Sequence, residues 1–343
     1  MSWEDKFLNK IVQGDSRVLL KELPAEVVDL VITSPPYYKQ RDYCELADEI
    51  GNEETVEEYI ENLMKVFHEC VRVTKPEGNI VFNLGDKRDN SGGLLMVPYR
   101  FAIEVLRREP VRLTHIITWV KLNPTPRQFK RRLVSSTEPF FHFTKSDDYY
   151  FDLDNFMKVL HRKRRRNEVS NRLGARYFEL LENAPLSEDE KQKAKEELKK
   201  VIREVREGKI ASFRMKIRGI HAPAFGGQEG GRKIQLEKQG FTIIRIHGDA
   251  MKRDVIECHT ETIKGCKHLA IYPEFIVQEL IKLLSPKDGI VLDPFIGSGT
   301  TAAVAKRLGR RFIGIDINSE YCKYAEERVK AVTTEATIDE YII

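Results

Sequence analysis

The 343-residue sequence lacks the features that mark membrane proteins and secreted proteins. It has no apolar run long enough to cross a bilayer, and its first residues, Met-Ser-Trp-Glu-Asp-Lys, do not form a signal peptide. Its 5 cysteines are few and odd in number, which favours a reducing compartment over a disulfide framework. We therefore expect a cytoplasmic protein with no membrane partner.

Two nucleotide-binding fingerprints are also missing. No Gly-Lys-Ser or Gly-Lys-Thr is present, which disfavours a nucleoside triphosphate site. The absence of Gly-x-Gly-x-x-Gly weakens the case for a dinucleotide-dependent oxidoreductase. The net charge of +4 and the pI of about 8.6 are mildly basic, which permits a polyanionic partner without requiring one.

A first motif with chemical content lies at residues 27–38, Val-Val-Asp-Leu-Val-Ile-Thr-Ser-Pro-Pro-Tyr-Tyr. It predicts a buried strand that leads directly into a rigid loop, because Pro35 and Pro36 fix their own φ and extend the residues before them. The prolines have no N–H, so the loop offers carbonyl acceptors beside aromatic rings. This suits a planar group with an NH₂, such as cytosine or adenine. Alone, the same residues could simply end a strand.

A second motif, Gly-Ile-Val-Leu-Asp-Pro-Phe-Ile-Gly-Ser-Gly-Thr-Thr, lies at residues 289–301. It predicts a short strand ending in Asp293, a loop with Gly297 and Gly299, and a helix, which together bring the backbone close to a cofactor in doubly wound folds. The next strand ends in Asp316, about 20 residues after Asp293, where such folds hold ribose hydroxyls. The pattern predicts an α/β fold with a cofactor site at this loop.

Together the two motifs resemble those of the S-adenosylmethionine-dependent amino-methyltransferases of nucleic acids, which make N4-methylcytosine or N6-methyladenine. The order found here, with the catalytic motif first, resembles the circularly permuted subgroup called β. The resemblance implies a Rossmann-like doubly wound sheet, S-adenosyl-L-methionine as cofactor, and DNA as the usual substrate. A cytosine C5 methylase is excluded, because it needs a thiolate within Pro-Cys and no proline here precedes a cysteine.

The resemblance also implies the roles of individual residues. Gly14-Asp15 resembles the turn that meets the cofactor's adenine, although Asp15 could equally cap the helix that follows it. The predicted catalytic residues are Ser34, Pro35, Pro36 and Tyr37. The predicted cofactor-binding residues are Asp15, Thr33, Asp293, Pro294, Phe295, Gly297, Gly299, Thr300 and Asp316.

An exocyclic amine is a poor nucleophile because its lone pair is delocalised into the ring. If fixed acceptors hold its N–H bonds, with the Ser34 side chain and the Pro35 carbonyl as candidates, the lone pair can face a sulfonium methyl. Tyr37 would stack on a base that has left the duplex. Direct displacement then needs mainly alignment, without a covalent enzyme intermediate.

Serine at the first position of the motif is typical of the N4-cytosine members, whereas aspartate is commoner among the adenine enzymes. The expected activity is therefore site-specific N4 methylation of cytosine in DNA. N6-adenine methylation and the same chemistry on a structured RNA such as ribosomal RNA stay open. A non-catalytic nucleic-acid-binding protein is the alternative from another class. The oligomeric state is not determined, and a homodimer is one open expectation.

Basic residues concentrate in two irregular segments. Prolines in residues 122–133 exclude regular structure, so we expect a loop on a phosphate backbone. Residues 161–166, His-Arg-Lys-Arg-Arg-Arg, form the second cluster, and either could also be ordinary solvated surface. The predicted nucleic-acid contacts are Arg41, Arg127, Lys130, Arg131, Arg132, Arg162, Lys163, Arg164, Arg165 and Arg166.

The α/β alternation is interrupted in the middle of the chain. We predict a catalytic half at residues 1–151, an inserted target-recognition module at 152–265 and a cofactor-binding half at 266–343. Near the last boundary Cys258, His259, Cys266 and His268 could supply four zinc ligands, but without a Cys-x2-Cys pair no metal site is predicted. The segment that starts at His268 instead resembles the one that opens the helix before the cofactor strand in this family.

Overall fold

A computed structural model of the chain describes residues 2–40, 49–124, 130–157, 173–221, 232–246, 252–261 and 273–333. The chain divides into two compact units, one of residues 1–152 with 253–343 and one of residues 153–252. None of the helices in the described ranges combines the length and the apolar character that a membrane span requires.

The two units are built from short strands and helices that alternate along the chain. The strands are β1 (Lys10–Gln13), β2 (Val28–Thr33), β3 (Thr74–Asn83), β4 (Arg112–Lys121), β5 (Thr137–Thr144), β6 (Ser212–Ile217), β7 (Phe241–Ile246), β8 (Val255–Cys258), β9 (Ile290–Asp293) and β10 (Arg311–Asp316). The helices are α1 (Trp3–Phe7), α2 (Ser16–Leu19), α3 (Val56–Val73), α4 (Val97–Arg108), α5 (Ala175–Glu182), α6 (Glu188–Arg206), α7 (Arg232–Gln239), α8 (Glu274–Leu284), α9 (Thr300–Arg307) and α10 (Ser319–Ala331).

The first unit contains one large sheet with the strand order β1-β10-β9-β2-β3-β5-β4-β8. Neighbouring strands are parallel except at β5, which is antiparallel to both β3 and β4. The order reverses between β9 and β2, since β9 leads to β10 on one side and β2 leads to β3 on the other. In doubly wound sheets ligands bind at such a reversal, outside the carboxyl ends of the strands. The predicted α/β fold is confirmed, whereas the circular permutation stays a prediction.

The core of this unit lies between the sheet and the helices that cover it. Every residue of β2 is buried, as expected for a central parallel strand with both faces covered. On one face the ring of Phe67 in α3 meets Phe82, Phe143 and Phe101 edge-on at centroid distances of 5.1, 5.2 and 5.6 Å. This packing fixes α3 and α4 against β3 and β5, and so fixes the carboxyl ends of those strands.

Two features of the sheet differ from the sequence predictions. The sequence at residues 76–78 predicts a turn before β3, but the strand already begins at Thr74 and residues 75–78 bulge from it. Glycine suits position 78 of this bulge, because a Cβ there would lie only 3.0 Å from the Asp29 carbonyl oxygen. In addition, β8 falls within the predicted insertion but pairs with β4 in the large sheet. Its four residues are too few to show which sheet they join.

The second unit has a hydrophobic core of its own, which involves α5, α6, β6 and β7. Strands β6 and β7 pair antiparallel. Helix α6 is highly charged, yet it buries an apolar stripe that includes Leu198 and Ile202. It is therefore an amphipathic core helix of this unit, with its charges on the opposite face. A role for the unit in target recognition stays a prediction.

The buried His142 and the half-buried His115 form a polar pair between β4 and β5. His142 Nε2 lies 2.8 Å from the side-chain oxygen of Asn79, and its Nδ1 lies 3.1 Å from His115 Nδ1. The Asn79 amide donates to the carbonyls of Tyr150 and Leu284, which turns its oxygen towards His142. Burial, and to a lesser degree the nearby His115, lowers the pKa of His142 to about 3, and burial also lowers the pKa of His115. The pair is therefore neutral in the folded protein at neutral pH.

We expect the free energy of unfolding to fall as the pH drops below about 6.5. In the unfolded chain His142 is protonated below that pH, whereas in the folded protein it stays neutral until about pH 3. The loss from this residue approaches about 1.4 kcal/mol per pH unit in that window. Thermal unfolding of the wild type and of His142→Gln between about pH 5 and pH 8 measures it. The variant should be less stable at pH 8 but less sensitive to acid, and equal slopes would contradict the assignment.

Candidate active site and cofactor cavity

The carboxylate of Asp293 joins the two sequence motifs at the reversal of strand order. Thr33, at the end of β2, donates its hydroxyl to Asp293 Oδ1 at 2.5 Å, and Thr301 in α9 donates to Oδ2 at 2.6 Å. The N–H of Phe295 donates to Oδ1 at 3.0 Å. Both Asp293 and Thr33 are fully buried. These two predicted cofactor ligands therefore hold the loops together and lie behind the surface that a ligand would touch.

A cavity of about 660 Å³, part of it open to solvent, lies beside this carboxylate. Both motifs contribute to one wall, although they are about 260 residues apart in sequence. The predicted site residues that line the cavity are Asp15, Ser34, Pro35, Pro36, Tyr37, Phe295 and Asp316.

Asp316, at the end of β10, is held rigidly in the cavity wall. Its Oδ2 accepts from the N–H of Gly297 and its Oδ1 from the N–H of Asn318, each at 2.9 Å. Burial raises the pKa of Asp316 to about 6, against these two hydrogen bonds, and the nearby Asp293 adds to the rise. Gly297 thus acts through Asp316. A carboxylate in this position can accept hydrogen bonds from ribose hydroxyls.

Asp15 combines the two roles that the sequence left open. Its side chain accepts from the N–H of Arg17 at 2.8 Å, which caps α2, and the Arg17 guanidinium contacts the same carboxylate at 2.7 Å. Asp15 also lines the cavity. The next residue, Ser16, donates its hydroxyl to the carbonyl of Pro294, so the turn is tied to the glycine-rich loop.

The predicted cofactor ligands Gly299 and Thr300 lie behind the glycine-rich loop and hold its conformation. Gly299 begins α9 with a φ of 79°, and a Cβ there would lie 2.8 Å from the Cα of Ala325. Thr300 is buried and accepts a hydrogen bond from Arg328 at 2.9 Å. The same guanidinium donates to the carbonyl of Ser298 at 3.0 Å. Within the described residues these groups position the loop and lie outside the cavity lining.

A network of hydroxyl, amide and carboxylate groups lies at the end of β2. The hydroxyls of Ser34 and Tyr37 are 3.2 Å apart. Asn83, fully buried at the end of β3, donates its amide to the Pro139 carbonyl at 3.0 Å, which turns its oxygen towards Tyr37 at 2.7 Å and Ser34 at 3.3 Å. Glu138, in β5, lies 3.1 Å from the Tyr37 hydroxyl. Neither Asn83 nor Glu138 was predicted as a site residue.

The proline loop is braced by its neighbours. The hydroxyl of Tyr59 in α3 donates to the Pro36 carbonyl at 2.9 Å, so that acceptor is already engaged. No residue in the described part of the chain donates to the Pro35 carbonyl. Gly85 leaves room for the aromatic ring of the motif, since a Cβ there would lie 2.5 Å from Tyr37 Cε2.

Comparison with known proteins identifies the family. Residues 28–327 match the DNA methylase family of N6 and N4 methyltransferases, a range that includes both motifs. The chain is a member of this DNA methylase family. The predicted resemblance and the dependence on S-adenosyl-L-methionine are thereby confirmed.

Individual relatives cover nearly the whole chain. The methylase is 29% identical to the type II methyltransferase M.SfiI of Streptomyces fimbriatus, over 90% of this chain and 88% of that protein. It is 25% identical to M.SmaI of Serratia marcescens, over 93% and 90%. Among solved structures it resembles the cytosine-N4-specific PvuII DNA methyltransferase, with a TM-score of 0.56 and 18% identity over 96% and 90% of the two chains. A putative DNA modification methylase of Thermus thermophilus, complexed with S-adenosyl-L-methionine, matches at 0.51 and 20% over 95% and 98%. These structures share the fold.

The cavity suits the cofactor of the family. S-adenosyl-L-methionine carries a cationic sulfonium and an ammonium group, and the cavity lining includes the carboxylates of Asp15, Glu49 and Asp316. Phe295 and Ile317 supply apolar surface for an adenine ring. The acidic lining and the flanking apolar residues thus match the two ends of this molecule.

The predicted basic residues divide between described and undescribed segments. Lys130, Arg131 and Arg132 are exposed on the connection from β4 to β5, at the same edge of the sheet as Ser34 and Tyr37. Arg41, Arg127 and residues 162–166 lie outside the described residues, as do Cys266 and His268 of the zinc pattern. In the ranges that the structure describes, no group of three or more His, Cys, Asp or Glu side chains could hold a metal ion.

We expect the affinity of this methylase for S-adenosyl-L-methionine to fall as the pH drops through about 6, because protonation removes the charge with which Asp316 would accept ribose hydroxyls. Below that pH the loss approaches about tenfold per pH unit. Isothermal titration calorimetry with the wild type and Asp316→Asn checks this. The variant should bind the cofactor more weakly at neutral pH, and its affinity should depend less steeply on pH. A wild-type affinity that does not change with pH would count against the assignment.

Proposed function

We propose that this DNA methylase transfers a methyl group to the exocyclic N4 amine of cytosine in DNA, after the base has rotated out of the duplex. The observation that carries the proposal is the position of the Ser34 hydroxyl. It lies in the wall of the cofactor cavity and, through Tyr37 and Asn83, belongs to a fixed polar network. An acceptor at this place can hold an amine beside a methyl donor.

The chain's own residues would align and polarise the amine. Ser34 Oγ can accept one N–H of the base while its own proton points to Tyr37 or to Asn83. The Pro35 carbonyl, which receives no donor from the described residues, can accept the other. Bound S-adenosyl-L-methionine supplies an electrophilic methyl group. With both N–H bonds held, the lone pair is free to face that group, and most of the barrier is lowered by alignment.

Two considerations support cytosine over adenine within the family. Serine, rather than aspartate, occupies the first position of the Pro-Pro-Tyr motif, as is typical of N4-cytosine members. The PvuII enzyme, which is specific for cytosine N4, shares the fold. Adenine N6 presents the same kind of amine and is the alternative that the chemistry also allows.

The basic surface near the amine site supports DNA as the polymer. The exposed side chains of Lys130, Arg131 and Arg132 are suited to phosphate contacts, and we assign the same role to Arg41, Arg127 and residues 162–166. In the proposed organisation the second unit, residues 153–252, reads the target sequence and is inserted in the chain between the two halves of the methyltransferase domain. The relatives' classification as type II methyltransferases supports a site-specific activity of the restriction-modification kind.

Incubation with methyl-labelled S-adenosyl-L-methionine and separate pools of unmodified DNA and RNA, followed by nucleoside mass spectrometry, tests the function. We expect the label in N4-methyldeoxycytidine. Label in N6-methyldeoxyadenosine would show that the target base is adenine and not cytosine. Label in RNA alone would show that the substrate is RNA and not DNA. The absence of label from both pools would overturn the proposal.

We expect Tyr37→Ala to lower the rate of transfer by about 100-fold or more, because it removes both the stacking ring and a hydroxyl of the network. Cofactor affinity should stay within about twofold of the wild type, since Asp316 and Phe295 remain in place. Single-turnover transfer and calorimetry measure the two effects separately. A wild-type rate of transfer by the variant would show that Tyr37 is not part of the site.

A further inference from the structure

We propose that Glu138 takes up, through the hydroxyl of Tyr37, the proton that the target amine loses when it is methylated. The inference rests on the proposed function and concerns how the same site works. It makes Glu138 a positioning and proton-accepting residue that acts through Tyr37.

The hydroxyls of Ser34 and Tyr37 form a chain of hydrogen bonds that leads from the cavity wall to Glu138. Ser34 Oγ donates to the Tyr37 oxygen at 3.2 Å, and the Tyr37 hydroxyl donates to Glu138 Oε2 at 3.1 Å. Both hydroxyls also have access to the oxygen of Asn83, at 3.3 and 2.7 Å. That oxygen belongs to an amide and does not take up a proton at neutral pH. Glu138 is therefore the member of this network that can end the chain.

The Asn83 oxygen has a different task. Because the Asn83 amide group donates to the Pro139 carbonyl at 3.0 Å, its oxygen stays directed at Ser34 and Tyr37. It holds both hydroxyls close to each other in the resting site. When Ser34 turns its proton to Tyr37, and Tyr37 turns its proton to Glu138, the same oxygen atoms need not move.

The Glu138 carboxylate is held for this role by β4. The ammonium group of Lys121 contacts Glu138 Oε1, which leaves Oε2 for Tyr37. Lys121 lies over the ring of Trp119, with Nζ 4.9 Å from its centroid. The Glu138 side chain is 15% exposed, so it is largely shielded yet able to exchange a proton with solvent afterwards.

The step balances in atoms and charge. The amine nitrogen forms a bond to the methyl carbon, and the electron pair of the broken carbon–sulfur bond stays on sulfur. The nitrogen passes one proton to Ser34 Oγ, Ser34 passes its own proton to the Tyr37 oxygen, and Tyr37 passes its proton to Glu138 Oε2. The products are a neutral methylated amine, a neutral sulfide and a protonated Glu138, so the charges of the sulfonium and the carboxylate cancel.

Glu138→Gln tests the proposal, because glutamine keeps the size of the side chain and an acceptor for Tyr37 but cannot take up a proton. We expect single-turnover transfer of methyl groups to unmodified DNA to slow by about 100-fold. Affinities for S-adenosyl-L-methionine and for DNA, measured by calorimetry and fluorescence anisotropy, should stay within about twofold of the wild type. Glu138→Asp, which keeps a carboxylate, should recover part of the rate.

A purely structural role of Glu138 predicts the opposite order of transfer rates for the glutamine and aspartate variants. If Glu138 only oriented Tyr37, glutamine would serve nearly as well as glutamate and the shorter aspartate would be worse. Glu69→Gln is the matched control, since Glu69 is also largely shielded and pairs with a cation, Arg72, at 2.7 Å. Its transfer rate should equal that of the wild type. Thermal unfolding of each variant shows whether a slow rate reflects a damaged fold.

A double variant shows whether the two residues act in one path. Tyr37→Phe should slow transfer about as much as Glu138→Gln, and the double variant should be no slower than the slower single one. Effects that multiply, or a Glu138→Gln enzyme as fast as the wild type, would overturn the inference. A wild-type protein that makes no N4-methylcytosine would instead overturn the proposed function, so the two failures are distinguishable.

Discussion

One buried carboxylate holds the active site together. Asp293 lies where β9 and β2 meet, and it accepts from the hydroxyls of Thr33 and Thr301 and from the N–H of Phe295. A carboxylate is stable in such a place only when hydrogen bonds replace its lost hydration, and these donors come from both motifs. The same contacts that satisfy the charge therefore bring two distant stretches of sequence into one cavity wall.

The cavity has two chemically different sides because different strands supply them. β10 and the turn after β1 contribute the carboxylates of Asp316 and Asp15, which suit a cationic donor with ribose hydroxyls. The end of β2 contributes the hydroxyls of Ser34 and Tyr37, which suit an amine. Groups behind the wall, such as Gly297 with its N–H on Asp316, set the geometry without touching a ligand. Much of the glycine-rich loop thus serves to position other residues.

The antiparallel strand β5 brings Glu138 and Pro139 to the polar network around Ser34 and Tyr37. Because β5 lies between β3 and β4, its first residues sit next to the carboxyl ends of both. Glu138 thereby reaches Tyr37 from one side and Lys121 from the other, and Pro139 orients Asn83. A strand in the parallel direction would have placed its last residues there instead. The direction of one strand thus decides which acidic side chain reaches Tyr37.

The sequence by itself determined the elements and motifs whose signals are local. The apolar run of β2 and the strand, glycine loop and helix around Asp293 each depend on neighbouring residues, and each was predicted. Tertiary structure decided the rest. Asn83 and Glu138 are 46 and 101 residues from Tyr37, and nothing in their local sequence marks them as its partners. Likewise, only the pairing of β8 with β4 shows which sheet it completes. Contacts between strands depend on strand order and direction, which are set by the packing of the whole unit.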